Sequence, residues 1–114
     1  MPNREIDIST FEELKQMSGA DFINELVDTF LDEAPKLIDE LKSALLSNDT
    51  DTFRRAAHSL KSNGATFGAQ QLSELAKQLE MLAKENKLGA TGDRLEALRQ
   101  AYEAAAAELK GLRT

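Results

Sequence analysis

The stretch Phe53 to Ala83 reads FRRAAHSLKSNGATFGAQQLSELAKQLEMLA. On both sides of its central Phe67-Gly68 the apolar and small residues recur at three and four, the period of a helix and not the alternation of a strand. Each helical residue turns the side-chain direction by about 100°, so Phe53, Ala57, Leu60 and Gly64 stack into one stripe. Leu72, Leu75, Ala76, Leu79, Leu82 and Ala83 make a second. Gly68 suits the left-handed conformation that closes helices. The segment therefore reads as a hairpin of two amphipathic helices, one opening at Asp49 or Thr50 and ending near Gly68, the next running from about Ala69 to Asn86. Gly64 inside the first of them loses about 1 kcal/mol relative to alanine, which calls for a packing or docking reason.

The same period extends outward in both directions. Ser9-Thr10-Phe11-Glu12 has the form of a capping box and predicts a short helix from Thr10 to Met17, interrupted by Ser18-Gly19. From Ala20 the set Phe22, Ile23, Leu26, Val27, Phe30 and Ala34 marks another helix. Pro35 disfavours helical geometry at Ala34, so that helix is expected to stop there and Pro35 to open the next, which buries Leu37, Ile38, Leu41, Ala44 and Leu45. The polar run Ser47 to Asp51 ends it. Beyond Leu88-Gly89-Ala90-Thr91-Gly92 a final helix follows on Leu95, Leu98, Tyr102, Ala105, Leu109 and Leu112, with Tyr102 at the core edge and its hydroxyl at water. Short connections between long amphipathic helices make neighbours antiparallel. The expectation is one all-α domain of 114 residues, an antiparallel up-down-up-down four-helix bundle over about 20–113 with a short additional N-terminal helix over about 9–18.

Composition narrows the functional classes. The net charge of -6 argues against a nucleic-acid binder, which needs a basic surface to displace counterions. There are no cysteines and a single histidine, too few good ligands for a zinc site. No apolar run approaches the roughly 20 residues needed to cross a bilayer, and Met1-Pro2-Asn3-Arg4-Glu5 lacks the apolar centre of a signal peptide. These features point to a cytoplasmic protein, off the membrane, with a protein or small-molecule partner. A Gly-rich nucleotide loop is missing, and there is no room for an ATP-binding domain, so the chain is not a complete kinase.

The lone histidine, His58, lies about 140° from the centre of its helix's apolar stripe, with Lys61 about 80° and Ser62 about 180° from it. It is therefore expected at the surface beside both. In a hairpin turning at Phe67 to Gly68, a residue ten before the turn lies level with one eleven or twelve after it. Glu80 meets that condition and falls about 120° from the Leu75/Leu79 stripe, at the edge of the core face. A carboxylate there can accept one ring N–H, set the tautomer and leave the other nitrogen's lone pair free for an electrophile. Arg54 and Arg55 make this helix locally basic on an acidic molecule, which suits a partner rich in carboxylates.

Ala57-His58-Ser59-Leu60-Lys61-Ser62-Asn63-Gly64-Ala65-Thr66-Phe67-Gly68-Ala69, followed by Leu72, Leu75, Ala76, Leu79 and Glu80, resembles the signature of histidine-containing phosphotransfer domains. The resemblance implies that His58 is a phosphoacceptor through Nε2 and carries a phosphoryl group between receiver-domain aspartates. It implies that Lys61 assists at the phosphoryl group and that Glu80 hydrogen-bonds the imidazole. Arg54, Arg55, Ser62, Gly64 and Ala65 are the candidate partner-binding residues, Ser62 standing where many members have glycine. The implied partners are receiver domains of response regulators or a hybrid histidine kinase, which would bring Mg²⁺; the chain would act as a monomeric carrier with no cofactor of its own and no autonomous kinase activity. Two other readings are a phosphoacceptor domain of a chemotaxis-type histidine kinase and a structural helical oligomerisation module.

Overall fold

Helix α1 spans Ile8–Ser18 in the computed structural model, which describes residues 6–113. Its cap is Asp7, whose carboxylate accepts from the backbone N–H groups of Ser9 and Thr10 at 3.0 and 3.4 Å. This corrects the expected cap at Ser9. An ionised carboxylate satisfies two orphan donors and sets negative charge against the positive helix end, so it wins over a hydroxyl two residues on. Residues 1–5, read above for a signal peptide, lie outside the described residues.

Helix α2 spans Ala20–Ser47 and continues through Pro35, which overturns the expected stop at Ala34. Proline removes the N–H that would bond the carbonyl four residues earlier, here that of Leu31. The Tyr102 hydroxyl donates to this carbonyl instead, at 3.3 Å. Tyr102 is thus buried and bonded to main chain, not open to water as expected. With that group satisfied, one continuous face of Ile23, Val27, Phe30, Ala34, Ile38 and Leu41 can bury, and tertiary packing overrides the local preference. Phe22, expected in the core, is half exposed because its neighbour Ile23 takes the inward position.

The α2–α3 corner turns on two adjacent residues. Asn48 closes α2 in the left-handed conformation at φ 55°, and the Asp49 N–H donates to the Ala44 carbonyl at 2.8 Å. The Asp49 side chain then caps α3, Thr50–Thr66, by accepting from the Thr52 N–H at 3.2 Å. Helix α4, Gln70–Lys84, follows, then a 3-10 turn at Leu88–Ala90 and helix α5, Arg94–Leu112. Helix α3 packs on α2 and α4, and α5 packs on α4 and α2, closing four long helices around a core that includes Leu41, Phe53, Leu60, Leu79, Leu98 and Leu109. Helix α1 lies against α2. The architecture is the all-α bundle with a short additional helix. Among the described residues no helix is long and apolar enough to cross a membrane.

Two glycines set the α3–α4 hairpin. At Gly68, φ is +73° and a Cβ would fall 2.8 Å from Asp7 Cβ and 3.0 Å from Thr10 Cβ. The missing side chain lets residues ahead of α1 cross the turn, where the Asp7 N–H donates to the Gly68 carbonyl at 2.9 Å. At Gly64 a Cβ would stand 3.2 Å from the Ser73 nitrogen and 3.3 Å from the Ala69 carbonyl oxygen. Its helix-interior cost is offset by the close approach of α3 to the first turn of α4. The Ser73 hydroxyl holds that approach by donating to the Lys61 carbonyl at 2.9 Å. These contacts bring α4 level with α3 so that Glu80 faces His58.

Candidate functional site

His58 projects from the middle of α3 with 57% of its side chain exposed, while the Glu80 side chain opposite it on α4 is 4% exposed. The two meet at 2.8 Å between His58 Nδ1 and Glu80 Oε2. An ionised carboxylate only accepts, so Nδ1 carries the proton and donates; in the neutral ring the lone pair is then on Nε2. The expected cross-groove contact is present.

Lys61 lies beside His58, on the same carboxylate. Its Nζ donates to Glu80 Oε1 at 2.6 Å, so its nearest partner is the carboxylate that holds the imidazole. The Lys61 side chain is about one-third exposed. A second ammonium, that of Lys84, stands 3.8 Å from Glu80 Oε2, the oxygen that also accepts from His58. Burial pushes the Glu80 carboxyl up, but hydrogen bonds from Lys61 and His58 and the charges of Lys61 and Lys84 outweigh it, holding the group below its ordinary value of 4.5. Glu80 is therefore an anion at neutral pH.

One turn before His58, Arg54 and Arg55 share Asp51, each with a guanidinium nitrogen 3.0 Å from one of its carboxylate oxygens. Their charge is partly offset within the helix. Ser62 and Ala65 follow His58 at four and seven residues and are exposed on the same helix, so they adjoin the histidine. Gly64 does not. It is buried against Ser73 and Ala69, which corrects its assignment as a partner-binding residue: the small side chain serves the helix contact. Lys84 and Asp51 were missed by sequence reading. Lys84 is four residues after Glu80 and Asp51 three and four before the arginines, spacings that pair opposite charges on a helix. Among the described residues no group of three carboxylate or imidazole ligands is placed to hold a metal ion.

A family model described as the Hpt domain matches residues 25–108. The chain is 36% identical over 78 residues to the sensor protein TorS of Escherichia coli (strain K12), an alignment covering 68% of this chain and 8% of that protein. It is 36% identical over 81 residues to the phosphorelay protein LuxU of Vibrio harveyi, covering 71% of each. The fold matches the crystal structure of the histidine-containing phosphotransfer protein HptB from Pseudomonas aeruginosa PAO1 with a TM-score of 0.91 at 24% identity, covering 98% of this chain and 96% of that one.

Proposed function

The chain belongs to the histidine-containing phosphotransfer (Hpt) family, whose members carry phosphoryl groups in phosphorelays, and from that premise we propose that His58 is its phosphoacceptor. The observation that supports this most is the 2.8 Å contact from His58 Nδ1 to the buried Glu80 carboxylate, which directs the Nε2 lone pair outward. In the forward step Nε2 attacks the phosphorus of an aspartyl phosphate on a receiver domain. The Nε2–P bond forms, the P–O bond to the aspartate breaks, and the aspartate oxygen keeps the electron pair. The proton on Nδ1 stays against Glu80. Onward transfer to a second receiver reverses these bonds.

Glu80 orients the ring and stabilises the positive charge it gains on phosphorylation. Lys61 adds positive charge beside the phosphoryl group while it pins Glu80 through Oε1. Phosphoryl transfer depends mainly on in-line positioning and charge stabilisation, and the partner's carboxylate-bound Mg²⁺ supplies the metal. Exposed Arg55, Ser62 and Ala65 with part-exposed Arg54 form the docking surface around His58. The partners are receiver domains, free or within a hybrid kinase, and the carrier acts as a monomer in the cytoplasm. A receiver domain charged with acetyl phosphate and Mg²⁺ should pass label to the wild-type chain and none to His58→Gln, whose helical circular dichroism is unchanged. Label on His58→Gln would overturn the assignment.

A further inference from the structure

Asp51 and His58 stand seven residues apart on α3, so helix geometry sets them on one face, about 20° apart around the axis and about 10 Å apart along it. Arg54 and Arg55 lie between them, one on each flank of that line. Both guanidiniums reach toward the amino end of the helix: Arg54 Nη2 meets Asp51 Oδ1 and Arg55 Nη2 meets Asp51 Oδ2, each at 3.0 Å. All three side chains are more than one-third exposed, so the two ion pairs sit in water and contribute little to folding. Their consequence is for what the surface offers a partner. Asp51 leaves the three groups with a single positive charge. Further acids stand near Arg55: Glu40 of α2 lines the same groove, and the charge of Arg55 is felt at Asp49.

We propose that Asp51 is an electrostatic brake on docking: it holds Arg54 and Arg55 back along α3 and so slows the association of this chain with receiver domains. The inference rests on the reading of the chain as a phosphocarrier whose docking surface includes those two arginines. A receiver that brings its cluster of carboxylates up to His58 meets guanidiniums already bonded to an acid of the carrier's own helix, and it must compete with that acid for them. Competition at the rim of an interface acts mainly on the rate of encounter and on its salt dependence. When the receiver leaves, the arginines return to Asp51, which suits a carrier that must release one partner before it meets the next.

The test is stopped-flow association of the full chain with a fluorescently labelled receiver domain in Mg²⁺, the receiver being one that passes label to the wild-type chain. Asp51→Asn should associate about threefold faster than wild type at low ionic strength, the effect of one unit charge at about 10 Å from a partner's carboxylates. The gain should vanish in about 0.5 M salt, because exposed charges are screened. Arg54→Gln/Arg55→Gln should associate more slowly than wild type, and Asp51→Asn added to it should give a clearly smaller gain, since no arginine is left to hold. Glu103→Gln removes the same charge from α5, which packs on α4 and α2, and should stay near the wild-type rate. A purely structural role for Asp51 would show neither the salt dependence nor the dependence on the arginines. An Asp51→Asn chain no faster than wild type at low salt, a gain that persists at high salt, or an equal gain without the arginines would overturn the brake. A double arginine variant as fast as wild type would overturn the docking surface itself, and label on His58→Gln would overturn the phosphoacceptor reading, so the three failures are distinguishable.

Discussion

Replacing Glu80 by glutamine preserves shape and removes the buried charge, so it isolates what the carboxylate contributes. Both oxygens are in use, Oε1 by Lys61 at 2.6 Å and Oε2 by His58 at 2.8 Å. An amide has one acceptor oxygen. If it faces His58, the NH₂ opposes the Lys61 ammonium and that side chain moves to water. If it faces Lys61, the NH₂ meets Nδ1, and the ring must take the tautomer with its proton on Nε2. Either way one charge-assisted hydrogen bond is lost, worth about 1.5–3 kcal/mol when well shielded. Both donors are partly exposed, so about 1–2 kcal/mol is expected. Unfolding a chain of 114 residues carries an entropy of about 0.24 kcal/mol/K, so Tm should fall by about 4–8 °C. The pH dependence gives the sharper result. The folded-state pKa of Glu80 lies below its ordinary value of 4.5, so its contribution is complete above that value and is lost as pH falls through the lowered folded value. A protonated Glu80 is neutral, like glutamine. Urea unfolding followed by circular dichroism should show the full gap between wild type and variant at about pH 7 and about pH 5.5, and a smaller one near about pH 3.5. An equal gap at all three would refute the view that an ionised carboxylate holds this site.

Two further perturbations probe the frame. Gly68→Ala puts a side chain on a residue at φ +73°, with its Cβ 2.8 Å from that of Asp7; a loss of about 2–4 kcal/mol is expected in urea unfolding, with faster proteolysis near residue 7, and a change below about 0.5 kcal/mol would contradict the crowding. Tyr102→Phe strips the Leu31 carbonyl of its donor and should cost about 0.5–1.5 kcal/mol. In a Pro35→Ala background the restored main-chain N–H can serve that carbonyl, so the cost of Tyr102→Phe should shrink; the same cost in both backgrounds would sever Tyr102 from the continuity of α2.

What could be read in the sequence was whatever depends on helical period and hairpin level. The stripe through Phe53, Ala57 and Leu60 and the one through Leu72, Ala76 and Leu79 fix which faces pack, and counting from Gly68 then sets Glu80 opposite His58. The period is silent on where a long side chain ends. Lys61 lies within a turn of His58, yet four flexible methylenes let its ammonium reach the strongest acceptor available, and only burial makes Glu80 that acceptor. Pro35 shows the complementary failure. The rule against proline within a helix concerns a local bond, and the group that rescues it is Tyr102, 71 positions from Leu31 in the chain. Ser9 had the right pattern and lost to an aspartate two residues earlier. At Gly64 the sequence disclosed a conformational cost, and only the packing of α4 distinguished an internal contact from a docking surface.

The division of labour between Glu80 and Lys61 bears on how a carrier works in both directions. A relay intermediate must take a phosphoryl group from one aspartate and yield it to another, so neither the loaded nor the empty state can be favoured too far. Under the proposed roles, Glu80 holds the proton on Nδ1, so that the ring departs in the onward step as neutral imidazole and not as imidazolate. Lys61 sits on Glu80 Oε1 and helps keep the carboxylate ionised in a buried position. An ammonium has three N–H donors, so Lys61 can meet the phosphoryl group without leaving Glu80 Oε1. On these roles the site can load and unload while the buried Lys61–Glu80 pair stays made and the ring keeps one orientation.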